Sequence, residues 1–254
     1  MWEKVWKGID VSDNQGAIEW GKVKAAGCQF AILRSVRRSG KVDYQFEANV
    51  KGCKAQNIPI SVYKYTYATT EEMSANEARQ VVALLQKYGL KCKVWWDVED
   101  RDTLFGLGKA KLTACIKAAE KVITEAGYEF GIYTGMYIYK EQWFDFDQFS
   151  CQFWGARYPS TSAKTMDMLP DEKYLPYIGR PLWGWQFSSN GTVPGISTNV
   201  DLDICFFEPD AHFSDAEEKK YTLVVYDLSP DDIRTIKNKL SGMELESSAY
   251  IKAD

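Results

Sequence analysis

The sequence contains a single histidine, His212, and this scarcity excludes most of the common catalytic centres. A Ser-His-Asp triad, a Cys-His pair and a multi-histidine metal site all need histidine in the folded body, whereas His212 lies in a polar stretch near the C-terminus. No GxxxxGK[ST] or GxGxxG motif is present, so we expect neither a phosphate loop nor a dinucleotide-binding turn. Carboxylates, supported by Tyr and Arg, remain for catalysis, and we expect no metal and no cofactor.

Long apolar runs are also missing. The N-terminal segment MWEKVWKGID is too polar for a signal peptide, and no later window approaches the roughly 18 apolar residues of a membrane span. We therefore expect a protein that is made in the cytoplasm without a signal peptide and is not inserted in a membrane. The six cysteines form no CxxC pair and fall mostly in apolar or helical stretches, which predicts reduced, buried thiols. The net charge of −4 argues weakly against a nucleic-acid partner.

Short apolar segments recur along the chain, with helical patterns between them in the first half. The pattern predicts strands at 4–12, 30–35, 58–68, 93–99, 128–135, 151–158, 181–188 and 199–207, and helices at 18–27, 46–57, 74–89 and 109–127. In the helix at 74–89, Ser74 and Glu77 read as a capping box, and Gly89 stands where a terminating glycine belongs. Strand–helix alternation without a phosphate loop favours an irregular β/α barrel of about eight strands, with few helices in its second half.

The stretch KVWWDVED, residues 93–100, combines a buried strand with three acids at its end. Asp97 and Glu99 are two residues apart, so they face the same way in an extended chain, whereas Asp100 faces the other way. Two like charges between apolar Trp walls raise the pKa of at least one carboxyl group, as a general acid requires near pH 7. Asp10 and Asp201 also lie at strand ends, where barrel active sites form, although any one such Asp alone more often caps a turn.

Paired carboxylates with aromatic walls are typical of glycoside hydrolysis, and 14% of the chain is aromatic. The segments GIDVSDNQGAIEWGKVKAAGCQFAILR, IPISVYKY, KVWWDVE, FGIYTG, WGARYP and PLWGWQFSSNGTVPGISTNVDLDICF, in this order over about residues 5–207, resemble family 25 of the glycoside hydrolases. These are the Chalaropsis-type lysozymes, or muramidases, of phages, bacteria and fungi. The resemblance implies an irregular β/α barrel that cleaves the β-1,4 bond between N-acetylmuramic acid and N-acetylglucosamine in bacterial peptidoglycan, with retention.

The resemblance also implies roles for four acids. Glu99 would be the general acid/base that protonates the leaving oxygen. Asp97 would orient or charge-stabilise the 2-acetamido group of the substrate, whose oxygen attacks the anomeric carbon in a neighbouring-group route. Asp10 and Asp201 would tune pKa values and bind sugar.

Further matches concern the sugar groove. Tyr63 matches a groove tyrosine, and Trp185 with Gln186 matches a Trp-Gln pair whose indole could stack on a pyranose. The chain departs from the family pattern at Arg34-Ser35-Val36-Arg37-Arg38 and at Ser61 and Lys64. We expect either that Arg34 and Lys64 favour the lactyl and peptide carboxylates of the wall, or that both are solvated surface cations.

Two other functions fit the same residues. A chitinase-like or N-acetylglucosaminidase-like barrel also uses an Asp-x-Glu pair with acetamido assistance, but the longer DxxDxDxE run of chitinases is absent. A wall-binding module that lost turnover would also keep the groove, although all four acids are present. The reducing ends of the products distinguish the two enzymes, and binding without release of products indicates the binding module.

The polar stretch 208–220 divides the chain into an expected catalytic barrel, residues 1–210, and a linker with a small tail, residues 211–254. The tail reads as β-α-β, with strands at 221–227 and 247–253 and a helix at 229–242, and is too short to hold its own core. Wall targeting and oligomerisation both suit it, because an exposed strand edge favours self-association. We expect a phage endolysin, made inside the host and acting on the wall after release, or a related wall-remodelling lysozyme of bacteria.

Overall fold

The computed structural model describes residues 4–209, which contain nine strands. The strands are β1 (Trp6–Val11), β2 (Phe30–Arg34), β3 (Ile60–Tyr65), β4 (Val94–Asp97), β5 (Phe130–Gly135), β6 (Gln152–Ala156), β7 (Lys164–Thr165), β8 (Gly184–Thr192) and β9 (Val200–Cys205). All eight predicted strands are present. The two-residue strand β7 was not predicted, because its sequence is short and polar.

Eight of the strands close into a barrel. Strands β1 to β6 pair in parallel in chain order, and β6 also pairs in parallel with β8. Strand β9 closes the ring between β8 and β1 and is antiparallel to both. The prediction of an irregular β/α barrel is therefore confirmed. The antiparallel β9 places its N-terminal end at the same mouth as the C-terminal ends of the other seven strands.

Large aromatic rings fill the barrel interior, and glycines on the neighbouring strands make room for them. Trp95 lies 4.6 Å from Trp183 between ring centroids, and its indole nitrogen donates to Ser61 Oγ at 3.1 Å. A Cβ atom added at Gly131 would come within 2.4 Å of the Trp95 ring. The interior is thus closed by side chains in its lower part and is not a pore.

Within residues 4–209, six α-helices pack outside the barrel: α1 (Trp20–Ala25), α2 (Phe46–Ala55), α3 (Glu71–Lys87), α4 (Arg101–Leu104), α5 (Lys109–Glu125) and α6 (Met136–Glu141). The longest two, α3 and α5, bury apolar residues at helical spacing, among them Val81, Leu85, Ile116 and Ile123. After β5 only the short α6 follows within the described part of the chain, as the weak helical patterns in the second half predict. No helix there is long and apolar enough to cross a membrane.

The predicted start of the third helix was wrong. Helix α3 begins at Glu71, and the side chain of Thr70 caps it by accepting from the Met73 amide at 3.2 Å. Ser74 is fully buried inside the helix. Thr70 could be overlooked because it precedes two acids and not an apolar run, although acids in a first turn favour a helix start. Gly89 does follow the helix in a left-handed conformation, with φ of 58°.

All six cysteines lie within the described residues and none forms a disulfide; four are buried, and Cys92 and Cys151 are partly exposed. The predicted β-α-β tail at 211–254 lies outside the described residues.

Candidate active site

A cavity of about 490 Å³ opens at the barrel mouth where the seven parallel strands end. Four of its lining residues are the acids singled out from the sequence: Asp10, Asp97, Glu99 and Asp201. A larger cavity, about 1140 Å³, lies at the opposite end of the barrel, and its lining includes only two acids, Glu129 and Glu208. Since strand ends at the first mouth bring the acids together, we take this mouth as the candidate active site.

Asp97 and Glu99 reach the cavity from the end of β4. Asp97 is the last residue of the strand, Val98 is fully buried, and Glu99 follows with its side chain on the same side as Asp97. The hydroxyl of Tyr137 donates to the Glu99 carbonyl oxygen at 3.3 Å and so helps to hold the backbone there. Asp100 does not line the cavity; it caps α4 by accepting from the Thr103 amide at 2.8 Å.

Burial raises the pKa of Glu99 to about 7, and the nearby charges of Asp201 and Asp100 contribute. The Tyr133 side chain lowers this pKa in part. A carboxyl group with a pKa near 7 is protonated in about half of the molecules at neutral pH, so it can donate a proton and later accept one.

Asp97 is more deeply buried, with 4% of its surface exposed. Desolvation and then the charge of Glu99 raise the pKa of Asp97 well above its ordinary value, and Lys64 partly offsets the effect. Its Oδ1 atom is buried and accepts no hydrogen bond from any of the residues 4–209. A buried carboxylate oxygen without a donor is costly, so this atom is a ready acceptor for an N–H group of a ligand.

Three further acids lie together on β1 and β9. Asp10 and Asp201 are directly opposite each other in the antiparallel pair, and Asp203 is two residues further along β9 on the same face. Burial and mutual repulsion raise the pKa of Asp10 and of Asp203 well above the ordinary value, and burial raises that of Asp201 to about 6. Sequence reasoning missed Asp203, although the alternation in Val-Asp-Leu-Asp predicts that it shares a face with Asp201.

Gln186 connects the acids to the tyrosines of the opposite wall. Its amide nitrogen donates to Asp10 Oδ2 at 2.6 Å, and its carbonyl oxygen accepts from the Tyr133 hydroxyl at 2.7 Å and also from the Tyr158 hydroxyl. The side chain is 3% exposed and therefore rigidly held. Gln186 lines the cavity, and its hydrogen bond orients Asp10.

The two cations predicted for the groove have different environments. Arg34 lines the cavity at the end of β2, but its guanidinium is paired with Asp13 and with Asp43, the latter at 2.7 Å. Lys64 is 1% exposed and lies behind the barrel wall, where its ammonium is 3.2 Å from Glu77 on α3. The predicted contact of Lys64 with substrate is therefore wrong, because its strand turns it towards the helices.

The prediction for Trp185 was also wrong. Its side chain is fully buried in the layer between barrel and outer elements, and its indole nitrogen donates to the Arg157 carbonyl at 2.8 Å. Successive residues of a strand point to opposite faces, so Trp185 must point outward if Gln186 points inward. It cannot stack on a sugar in the cavity.

Aromatic side chains that the sequence reasoning did not assign line the cavity instead, together with Tyr63. They are Tyr65, Tyr67, Tyr133, Trp154 and Tyr158. Tyr65 and Tyr67 are tilted against each other with ring centroids 4.8 Å apart. Their alternation along the β3 segment was a usable signal, because Tyr63, Tyr65 and Tyr67 are each two residues apart.

An open barrel mouth with several carboxyl groups of raised pKa and aromatic walls is typical of glycoside hydrolases, which use carboxylate acid–base chemistry. The family model of the glycosyl hydrolases family 25 matches residues 9–196. The chain belongs to this family.

Similar proteins agree with this assignment. The autolytic lysozyme of Clostridium acetobutylicum is 23% identical over 197 residues, which are 78% of this chain and 55% of that protein. The catalytic domain of an endolysin from a Listeria monocytogenes bacteriophage has a similar fold, with 23% identity, a TM-score of 0.66 and coverage of 80% of this chain and 94% of that one.

The autolysin LytC from Streptococcus pneumoniae, in complex with a synthetic peptidoglycan ligand, also has a similar fold. Its TM-score is 0.62 at 24% identity, with coverage of 80% of this chain and 47% of that one. The chain thus spans about half the length of the curated relative and of this autolysin.

Proposed function

We propose that the protein is a peptidoglycan hydrolase that cleaves the β-1,4 bond between N-acetylmuramic acid and N-acetylglucosamine in the bacterial cell wall. The observation that carries this proposal is that Glu99, with a pKa raised to about 7, lies beside Asp97 in an open cavity with aromatic walls. A relative named as an autolytic lysozyme and a neighbour solved with a peptidoglycan ligand support the choice of substrate.

In the proposed mechanism Glu99 acts twice. As the neutral acid it donates its proton to the glycosidic oxygen, and the bond to the anomeric carbon breaks. The resulting carboxylate then accepts a proton from the water that attacks the anomeric carbon. One residue in both roles is consistent with retention, provided that a nucleophile first occupies the anomeric carbon from the opposite face.

We propose that the nucleophile is the oxygen of the substrate's own 2-acetamido group, oriented by Asp97. The buried Oδ1 atom of Asp97 has no donor among the described residues and would accept the acetamido N–H. This hydrogen bond would favour the carboxylate form of Asp97 and lower its pKa in the complex. The negative charge next to the amide would in turn stabilise the positive charge that develops as the oxygen attacks.

Asp10, Asp201, Tyr63 and Gln186 support this centre. The charge of Asp201 helps to keep Glu99 protonated, since it contributes to the raised pKa of Glu99. Gln186 holds Asp10 from one side, and Tyr63 adds an aromatic surface to the cavity. We propose that Asp10 and Tyr63 contact the sugar that is bound above Glu99.

Digestion of purified peptidoglycan with the full chain tests this function. Borohydride reduction of the products followed by mass spectrometry identifies the new reducing end. Reduced N-acetylmuramic acid supports the proposal. Reduced N-acetylglucosamine would show a glucosaminidase, and binding to the wall without soluble products would show a binding module.

We also propose that residues 1–210 are the catalytic unit and that residues 211–254 serve wall targeting or self-association. The full chain and a chain ending at Asp210 should release soluble muropeptides from purified disaccharide-peptide strands at equal rates. Sedimentation of both chains on whole walls, and their solution masses, separate targeting from self-association. Loss of activity in the shorter chain would contradict the boundary.

A further inference from the structure

Two arginines at the rim of the candidate active site are used by none of the steps above. Arg37 and Arg38 follow β2 and line the same cavity as Glu99. The loop that carries them is folded back by a bridge between Val36 and Val42 and by the hydrogen bond from the Arg37 amide to the Lys41 carbonyl at 2.9 Å.

Each guanidinium lies against a tyrosine ring. The Cζ atom of Arg37 is 3.5 Å from the ring centroid of Tyr44, and that of Arg38 is 4.4 Å from the ring centroid of Tyr67. A ring that covers one face of a guanidinium holds the group in place and leaves its N–H edge available for in-plane hydrogen bonds.

Neither arginine forms an ion pair with a carboxylate within the described ranges of the chain, in contrast to Arg34, which is paired twice. The Nε atom of Arg37 is moreover buried without a hydrogen-bond partner there. A buried donor without an acceptor costs free energy in the unbound protein, and a ligand that supplies an acceptor recovers it.

The charges in the cavity are therefore separated. The floor carries the carboxyl groups of Asp10, Asp97, Glu99 and Asp201, which offer no positive charge to an anion, whereas Arg37 and Arg38 place two guanidinium groups without a carboxylate partner at the rim. A substrate that is neutral at the cleaved bond and anionic on a substituent matches this arrangement. A guanidinium edge binds a carboxylate with two parallel hydrogen bonds.

We propose that Arg37 and Arg38 form a carboxylate-binding subsite for the peptide stem carried by the glycan. This deepens the proposed function and rests on it. The recognition of wall carboxylates, which the sequence suggested for Arg34 and Lys64, is thus assigned to Arg37 and Arg38, which follow Arg34 on the chain. The subsite makes the enzyme prefer glycan whose stem carboxylates are free over glycan whose stem carboxylates are amidated.

The test compares two soluble substrates, glycan strands with free stem carboxylates and the same strands after chemical amidation. The ratio of kcat/KM for the two defines the preference. In R37Q/R38Q we expect this preference to fall about tenfold, mainly through KM on the free-carboxylate strands. K41Q is the matched control, because Lys41 is on the same loop and is exposed but does not line the cavity. We expect K41Q to keep the wild-type preference.

An unchanged preference in R37Q/R38Q, or an equal loss in K41Q, would overturn the proposal, the latter by indicating charge attraction without a defined subsite. Binding of both strands to an inactive E99Q chain, with and without the arginine substitutions, is the second measurement. It separates failure of the proposed function from failure of the subsite. A wild-type chain that cleaves neither substrate contradicts the function. The subsite is contradicted if the arginine substitutions leave the binding preference of E99Q unchanged.

Discussion

Replacement of Glu99 by Gln should abolish activity and at the same time stabilise the protein at neutral and alkaline pH. Burial holds the pKa of Glu99 at about 7 instead of 4.5, so the folded state binds a proton that the unfolded state has already released between these values. The free energy of unfolding of the wild type therefore decreases as the pH rises through this window. Gln cannot ionise and does not show this decrease.

The size of the stabilisation in E99Q follows from the shift in the pKa of Glu99. Ionisation of Glu99 costs the folded state about 3 kcal/mol at pH 8, less than about 1 kcal/mol at pH 5 and almost nothing at pH 4. We expect E99Q to exceed the wild type in stability by these amounts and to lose at least about a thousandfold in kcat, since the proton donor is gone. Urea unfolding at the three pH values and the release of soluble muropeptides measure both effects.

Glu125 provides the control, because its side chain is 66% exposed at the end of α5 and pairs only loosely with Lys121, at 3.8 Å. E125Q should change stability by less than about 0.5 kcal/mol at every pH and leave activity unchanged. An E99Q protein that keeps substantial activity would refute the role of Glu99. An E99Q protein whose stability relative to the wild type does not increase between pH 4 and pH 8 would refute the electrostatic reasoning.

Three further outcomes are expected. D201N removes a charge that raises the pKa of Glu99, so the alkaline limb of the kcat profile should move to lower pH; a limb that stays in place would contradict this coupling. K64Q should destabilise the fold by about 3 kcal/mol in urea unfolding, because it removes the cation that pairs with Glu77 and leaves that carboxylate with only the Thr66 hydroxyl and the Tyr67 amide, while the KM for wall fragments changes less than twofold. D203N should stabilise the protein above about pH 4, where the unfolded carboxyl group ionises but the buried one does not, and the difference should vanish in more acidic solution.

The acid pair was accessible from the sequence because the alternation along a strand is local. Asp97 and Glu99 are two residues apart after an apolar run, and this spacing alone places both on one face. The same rule assigns Asp100 to the other face, where it caps α4. Such inferences need no knowledge of neighbouring strands.

In contrast, the sequence does not reveal which face of a fully buried strand points into the barrel. Both sides of β8 are covered at Trp185 and Gln186, one by the barrel interior and one by the outer layer, so no alternation there marks the inside. In β3 the spacing of Tyr63 and Tyr65 separates their face from that of Lys64, but the spacing alone does not say which face lines the barrel. A shift of one residue exchanges the two faces.

The sequence by itself determined the positions of the eight main strands, the thin second half of the barrel and the shared face of Asp97 and Glu99. Only the tertiary structure decided that β9 runs antiparallel, which places Asp201 directly opposite Asp10 and puts Asp203 behind them. It also decided that Arg34 is paired with Asp13 and Asp43, whereas Arg37 and Arg38 lie against tyrosine rings and have no carboxylate partner among the described residues. The physical reason is that pKa values and charge pairing depend on distances between groups that are far apart along the chain, and the closure of the barrel sets those distances.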